Sequence, residues 1–298
     1  MIFIKTKSSL FMCLISIDIL YMYYTKIYNT YMNKSFSLQN FPNINELANE
    51  IREKFLNDCE YIIIKNNSFL HNYDEIINYY SRLNYLLGDV KMVDKNKYNE
   101  TNQNDYWVDI KYSFSDSVDN HVSKIIPPWK TNEQLMLHTD NTLSNDNNFA
   151  NITELICFKP SFYSGETVII SNNKIIEMVK YLDMIYNTKL YDNLLNTKIY
   201  HKLIEKNICI KNNKNNANNY TFNFNIKQIL TSQFNSKENL QIANDFSKLL
   251  ENIMQSSLLN EIRLEEGDAL LFNDTLVMHG RNYVFGERFY KKCSILII

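Results

Sequence analysis

Cysteine is scarce and scattered. Cys13, Cys59, Cys157, Cys209 and Cys293 are odd in number and include no Cys-x-x-Cys pair, which excludes a disulfide framework and a cysteine-built zinc site. A reducing interior suits them, and the chain reads as cytoplasmic. Charge of one sign is lacking too: a formal net charge of −2 gives no general attraction to nucleic acid or anionic lipid. Only a specific basic pocket remains open. A long hydrophobic run is also missing. Lys5 and Lys7 precede an apolar stretch from Leu10 to Tyr24 in the order of a signal peptide. Asp18 interrupts that stretch, it falls short of the about 20 residues of a membrane span, and no small-x-small cleavage site follows. Residues 1–31 are therefore expected to be a poorly ordered extension or an unused upstream start, not a membrane anchor. Glycine and proline are few while Asn, Ile, Lys and Tyr abound, a general compositional bias that strips asparagine-rich patches of functional meaning. No internal repeat is evident.

From Asn45 the pattern becomes legible. Asn45 is placed to cap a helix carrying Leu47, Ala48, Ile51 and Phe55, Tyr61 to Ile64 forms a short buried strand, and Tyr73 to Leu87 is a second helix stopped at Gly88. Tyr106 to Ile110 is strand-like, and Pro127-Pro128 breaks the backbone ahead of Trp129, read as a core aromatic. Strands follow at Leu135 to Leu137, Thr153 to Phe158 and Thr167 to Ile170, with a polar loop at Asn145 to Asn148. A helix carries Ile175, Ile176, Met178, Val179 and Leu182, and Lys211 to Asn219 is a solvated hairpin tip. Ser236 caps a long helix with Leu240, Ala243, Phe246, Leu249, Leu250 and Ile253 on one face. Short strands separated by turns, with helices gathered at the ends, predict a mainly β protein with flanking helices.

Histidine, with 5 residues in all, sharpens the chemistry. In Leu137-His138-Thr139-Asp140, strand alternation turns His138 and Asp140 to one side and Thr139 to the other. A buried aspartate is costly without a partner, and a metal ion would supply one. The best-placed third ligand is His279, in Met278-His279-Gly280-Arg281. Two histidines and one carboxylate leave metal positions open, as suits a non-haem Fe(II) oxygenase.

The ordered set His138-x-Asp140, Gly165-Glu166-Thr167, Gly267-Asp268, His279-Gly280-Arg281 and the basic pair Arg288 and Lys292 resembles the taurine dioxygenase-like (TauD/TfdA) and clavaminate synthase-like enzymes. The resemblance runs from about Asn45 to the end of the chain. It implies a double-stranded β-helix, or jelly roll, over residues 32–298. It also implies an Fe(II)- and 2-oxoglutarate-dependent dioxygenase that oxidises a small organic molecule with release of succinate and CO2, hydroxylation being the expected outcome. His138, Asp140 and His279 would be the catalytic metal ligands. Thr167 and Arg288 would hold the distal carboxylate of 2-oxoglutarate, and Lys292 would meet an acidic group of the substrate. Because the positions of Arg288 and Lys292 differ by an even number, the two share a face of one strand. The resemblance implies a small-molecule substrate, acidic compounds and amino acids among the candidates, with O2 as co-reactant; it leaves a homo-oligomer open. The Asn273-Asp274 pair reverses the order that the family carries before its second histidine.

Each assignment has a plainer rival. Lys292 could extend to solvent beside Lys291, and His279 could be a core histidine. The whole chain could be an inactive jelly-roll that binds a small molecule, or a metal enzyme on the same barrel that does not use 2-oxoglutarate. Retention of all three ligands with Thr167 and Arg288 favours the oxygenase.

Overall fold

A computed structural model describes residues 34–91, 106–112, 131–140, 142, 150–214 and 217–297. The expectations for residues 1–31, for Pro127-Pro128 and Trp129, and for the loop Asn145 to Asn148 lie outside the described residues.

A strand β1 (Lys34–Ser37) opens the described chain, followed by α1 (Ile44–Leu56), β2 (Tyr61–Lys65) and α2 (Tyr73–Leu87). The cap of α1 is Asn43 and not Asn45: Asn43 Oδ1 accepts the Asn45 N–H at 3.0 Å, and Asn72 caps α2 by accepting the Glu75 N–H at 3.0 Å. Their short side chains satisfy first-turn amides that have no partner within the helix. The apolar faces predicted from spacing, Leu47, Ala48, Ile51 and Phe55 on α1 and Ile76, Ile77, Tyr80, Leu83 and Leu87 on α2, are buried in one cluster. At Gly88 the backbone is extended, with φ 169°. Glycine is required there by proximity, since a Cβ would lie 2.2 Å from the Leu296 carbonyl oxygen.

Strands β3 (Asp89–Val90), β4 (Val108–Tyr112), β5 (Leu135–His138), β6 (Ile152–Lys159), β7 (Tyr163–Ser164) and β8 (Thr167–Ser171) come next. Then a mostly helical excursion leaves the barrel: α3 (Asn172–Tyr186), α4 (Leu190–Asn196), β9 (Lys198–His201), β10 (Ile204–Asn207), β11 (Cys209–Lys214), β12 (Ala217–Phe222), α5 (Ile226–Leu230) and α6 (Lys237–Met254). The chain returns through β13 (Asn260–Ile262), β14 (Ala269–Asn273), β15 (Val277–Arg281), β16 (Val284–Phe285) and β17 (Arg288–Leu296). The asparagine-rich stretch is a hairpin, β11 antiparallel to β12. Ser236 caps α6 by accepting the Asn239 N–H at 3.1 Å.

Two sheets face each other. One has the order β1-β2-β14-β6-β17-β3, with β4 also on β17; the other runs β13-β8-β15-β5. Only the β1 to β2 pairing is parallel among these. Between the sheets lies an apolar layer of Leu155, Cys157, Ile169, Leu270, Phe272, Val277 and Tyr290. A second cluster joins the outer face of the larger sheet to α1 and α2, and a third joins the outer face of the smaller sheet to α3, α4 and α6. Full burial of side chains the size of Leu, Ile or Phe contributes about 1.5–3 kcal/mol each, so these layers carry the fold.

Alternation along β17 sets up the site. Tyr290 points between the sheets, whereas Cys293 and Ile295 pack toward the helices, so Arg288 and Lys292 share the inward face with Tyr290. Lys291 turns the other way and pairs with Asp109. The Gly267-Asp268 turn, counted among the motif residues, is structural. Buried Asp268 accepts from Asn66 N at 2.9 Å, Glu265 N at 3.1 Å and Lys65 Nζ at 2.7 Å, and the Gly267 carbonyl accepts from Tyr80 at 2.8 Å. These bonds tie α2 and the end of β2 to the barrel.

Candidate metal centre

His138 ends β5, and His279 stands directly opposite it on β15. The two rings lie 4.4 Å apart between centroids. The register between these strands shifts just beyond that pair, and the bulge re-aims the end of β5. Gly280 makes the close approach possible, because a Cβ there would fall 2.5 Å from the Leu135 carbonyl oxygen.

Asp140 lies past the end of the strand, so strand alternation alone does not hold it. Its amide donates to the Asp274 carboxylate, at 3.0 Å to Oδ2 and 3.3 Å to Oδ1. Thr139 points away and is fastened to Phe224, its N–H donating to the Phe224 carbonyl at 3.0 Å and its hydroxyl accepting the Phe224 N–H at 3.1 Å. The Asp140 carboxylate consequently faces both imidazoles: Oδ1 is 3.8 Å from His138 Nε2, and Oδ2 is 3.6 Å from His279 Nε2. One ligand atom from each of the three residues lies within 4.8 Å of the others. Nitrogen and oxygen ligands sit about 2.0–2.2 Å from a first-row divalent cation such as zinc, so small side-chain rotations would close all three on one ion.

The surroundings prepare these groups as ligands. His138 Nδ1 is 2.8 Å from the Met136 carbonyl, an acceptor that fixes the proton on Nδ1 and leaves Nε2 a free lone pair toward Asp140. Burial first, and then neighbouring His279, push the His138 pKa down to about 4, so the ring is neutral at pH 7. Burial works against the charge on Asp140, but Lys292 and the two imidazoles outweigh it and hold the carboxyl well below the usual range. His279 Nδ1 is buried, has no hydrogen-bond partner among the described residues, and lies 3.4 Å from Asp274 Oδ1. Asp274 therefore reaches two ligands at once, one through its backbone and one through its ring. Sequence reading gave Asp274 no role; its only signal was the reversed Asn273-Asp274 order. Asn273 is occupied elsewhere, its Oδ1 accepting from Thr275 N at 3.0 Å and Thr275 Oγ1 at 2.7 Å.

Cations cluster further along the inward face. Arg288 is 4% exposed, its Nε has no hydrogen-bond partner, and no carboxylate is paired with it among the described residues. Its guanidinium lies 3.7 Å from the Tyr290 ring centroid. Arg281 donates to the Thr131 carbonyl at 2.8 Å and the Glu133 carbonyl at 2.7 Å, which anchors the segment leading into β5. Burial, reinforced by nearby Arg288, lowers its pKa to about 9. Thr167, also buried, sits opposite Arg281 across the β8 to β15 pairing. A buried guanidinium with no carboxylate paired to it among the described residues, beside a second one, is a donor set that a carboxylate ligand satisfies. Lys292 turns inward, not to solvent: its ammonium donates to Asp140 Oδ2.

No family model matches the sequence, and no curated protein matches it. Solved structures do. The non-haem iron oxygenase OrfP, in complex with Fe and α-ketoglutaric acid, superposes with a TM-score of 0.55 at 12% identity, over 90% of this chain and 95% of that one. PvcB from Pseudomonas aeruginosa gives 0.54 at 10% identity, over 85% and 81%. A putative α-ketoglutarate-dependent taurine dioxygenase from Burkholderia xenovorans gives 0.52 at 10% identity, over 85% and 81%. The chain has the fold of these oxygenases. Its two facing sheets are the jelly roll expected from the sequence, extended by α3 to α6 on the outer face of the smaller sheet.

Proposed function

We propose that the protein is an Fe(II)- and 2-oxoglutarate-dependent dioxygenase acting on a small organic molecule. The observation that carries this reading is one inward face with two stations: the convergence of His138, Asp140 and His279, and the buried Arg288, with no carboxylate paired to it among the described residues, on the same face as Lys292. The donor set, two neutral nitrogens and one carboxylate oxygen, suits Fe(II) with positions left open. A jelly-roll protein with a decayed site would have no reason to keep Arg288 buried with no carboxylate paired to it among the described residues, since a buried charge without a counter-charge is costly.

When bound, the metal and cosubstrate supply the reduction of O2 coupled to decarboxylation of 2-oxoglutarate, yielding succinate, CO2 and an oxidised substrate. The chain's own residues bind and orient. His138, Asp140 and His279 would hold the metal, and Asp274 keeps Asp140 and His279 facing it. Arg288, with Thr167 and Arg281 near its end of the barrel, would receive the far carboxylate of 2-oxoglutarate. The apolar layer around Phe272, Val277 and Tyr290 excludes water from the space between the sheets, which strengthens each polar contact there. Cys157, Cys209 and Cys293 are buried free thiols, in keeping with the reducing setting that Fe(II) also favours.

Amino acids are the first substrates to screen, since OrfP has been solved with (3S)-hydroxy-L-Arg. The test is conversion of 2-oxoglutarate to succinate on admitting O2 to protein loaded with Fe(II), stimulated by the true substrate. Succinate formation that persists at the wild-type rate in Asp140→Ala would remove Asp140 from the site.

A further inference from the structure

We propose that Lys292 competes with the metal for Asp140, so that the free protein takes up a divalent cation weakly until a dicarboxylate supplies counter-charge. This rests on the metal reading above and adds a rule for how the site fills.

Asp140 is the only acidic ligand in the cluster. Its Oδ2, 3.6 Å from His279 Nε2, already accepts from the Lys292 ammonium. A cation arriving between the imidazoles must displace that ammonium or share the carboxylate with it, the ammonium on Oδ2 and the metal on Oδ1. Either way it meets a like charge a few ångströms off. The wider inventory points the same way. Among the described residues, Lys292, Arg281 and Arg288 stand against Asp140 and Asp274, an excess of one positive charge. A divalent cation raises the excess to three, and a dianionic dicarboxylate returns it to one. Metal and dicarboxylate are therefore coupled through the charge of the site, in addition to any direct bond between them.

Lysine suits this task better than arginine. Its ammonium is a compact charge on a flexible stem, able to withdraw when a ligand arrives. A guanidinium would grip both carboxylate oxygens and hold the centre closed. The bulk of the effect must come from Lys292 itself, because Arg281 is bonded to the Thr131 and Glu133 carbonyls and Lys291 faces the other side of the sheet on Asp109.

The experiment is calorimetric titration of Mn(II) alone into full-length protein under argon, then with 2-oxoglutarate present. Lys292→Met is expected to bind Mn(II) at least about tenfold more tightly than wild type, since it removes a like charge from a low-dielectric site. Lys292→Arg, which keeps the charge, is expected to bind no more tightly than wild type. 2-Oxoglutarate should tighten Mn(II) binding by a larger factor in wild type than in Lys292→Met. Lys159→Met, which removes an exposed charge paired with Glu287, should leave the affinity unchanged, and Lys292→Gln repeats the test should the methionine variant fold poorly. Equal or weaker Mn(II) binding by the folded neutral variants overturns the competition while leaving the metal reading intact. Absence of Mn(II) binding in every protein overturns the metal reading, and this proposal with it.

Discussion

Replacing Asp274 with asparagine changes one atom's chemistry and almost nothing of its shape. The carboxylate now accepts the Asp140 N–H at 3.0 and 3.3 Å and presents its other side to His279 Nδ1 at 3.4 Å. An amide has a single acceptor oxygen. If that oxygen stays on the Asp140 amide, its NH2 faces the His279 Nδ1–H, donor against donor, and the ring is driven to the tautomer that protonates Nε2 and spoils it as a ligand. If the amide flips, Asp140 loses its tether instead. Loss of a hydrogen bond to a charged group costs about 1.5–3 kcal/mol, in agreement with the 10- to 100-fold loss of metal affinity typical when a group that orients a metal ligand is changed. Mn(II) titration, with thermal melting to confirm folding, is the assay. The double variant Asn273→Asp/Asp274→Asn should not recover affinity, because position 273 is committed to capping the turn at Thr275. Wild-type Mn(II) affinity in Asp274→Asn would refute the reasoning.

Arg288→Ala should weaken 2-oxoglutarate binding by about 2–5 kcal/mol, as a buried carboxylate loses its charged partner. Thr167→Val should cost only about 1 kcal/mol; equal losses in equilibrium binding under argon would count against those roles. Away from the site, burial raises the pKa of Glu154 to about 8 despite the Asn84 side chain donating to it. The folded chain therefore holds a proton that the unfolded chain releases at ordinary carboxyl pH, and wild type should lose stability relative to Glu154→Gln as pH rises from about 4.5 to about 8. Denaturant midpoints for the two proteins that run parallel across that range would contradict the assignment.

Local pattern made much of this legible. The apolar spacing of α1, α2 and α6 marked their buried faces, and the shared facing of Arg288 and Lys292 followed from strand alternation. What sequence could not reveal depends on distant partners. The four-residue β1 carries too short a pattern to separate from coil, and its parallel partner β2 lies a helix away. Asp140 owes its orientation to Asp274, which lies 134 residues further along the chain. The reason for Gly88 is the Leu296 carbonyl, which no local turn rule foretells. Lys292 finds Asp140 only after the two sheets close. The structure pairs Lys291, its neighbour, with Asp109 where sequence offered only a second lysine near solvent.

Diffraction at the iron edge from crystals soaked with Fe(II) and 2-oxoglutarate under argon tests the central claim most directly. The account predicts one anomalous peak within about 2.2 Å of His138 Nε2, an Asp140 oxygen and His279 Nε2, with a single dicarboxylate reaching from that peak to the Arg288 guanidinium. Iron bound elsewhere, or a dicarboxylate that leaves Arg288 untouched, would contradict it.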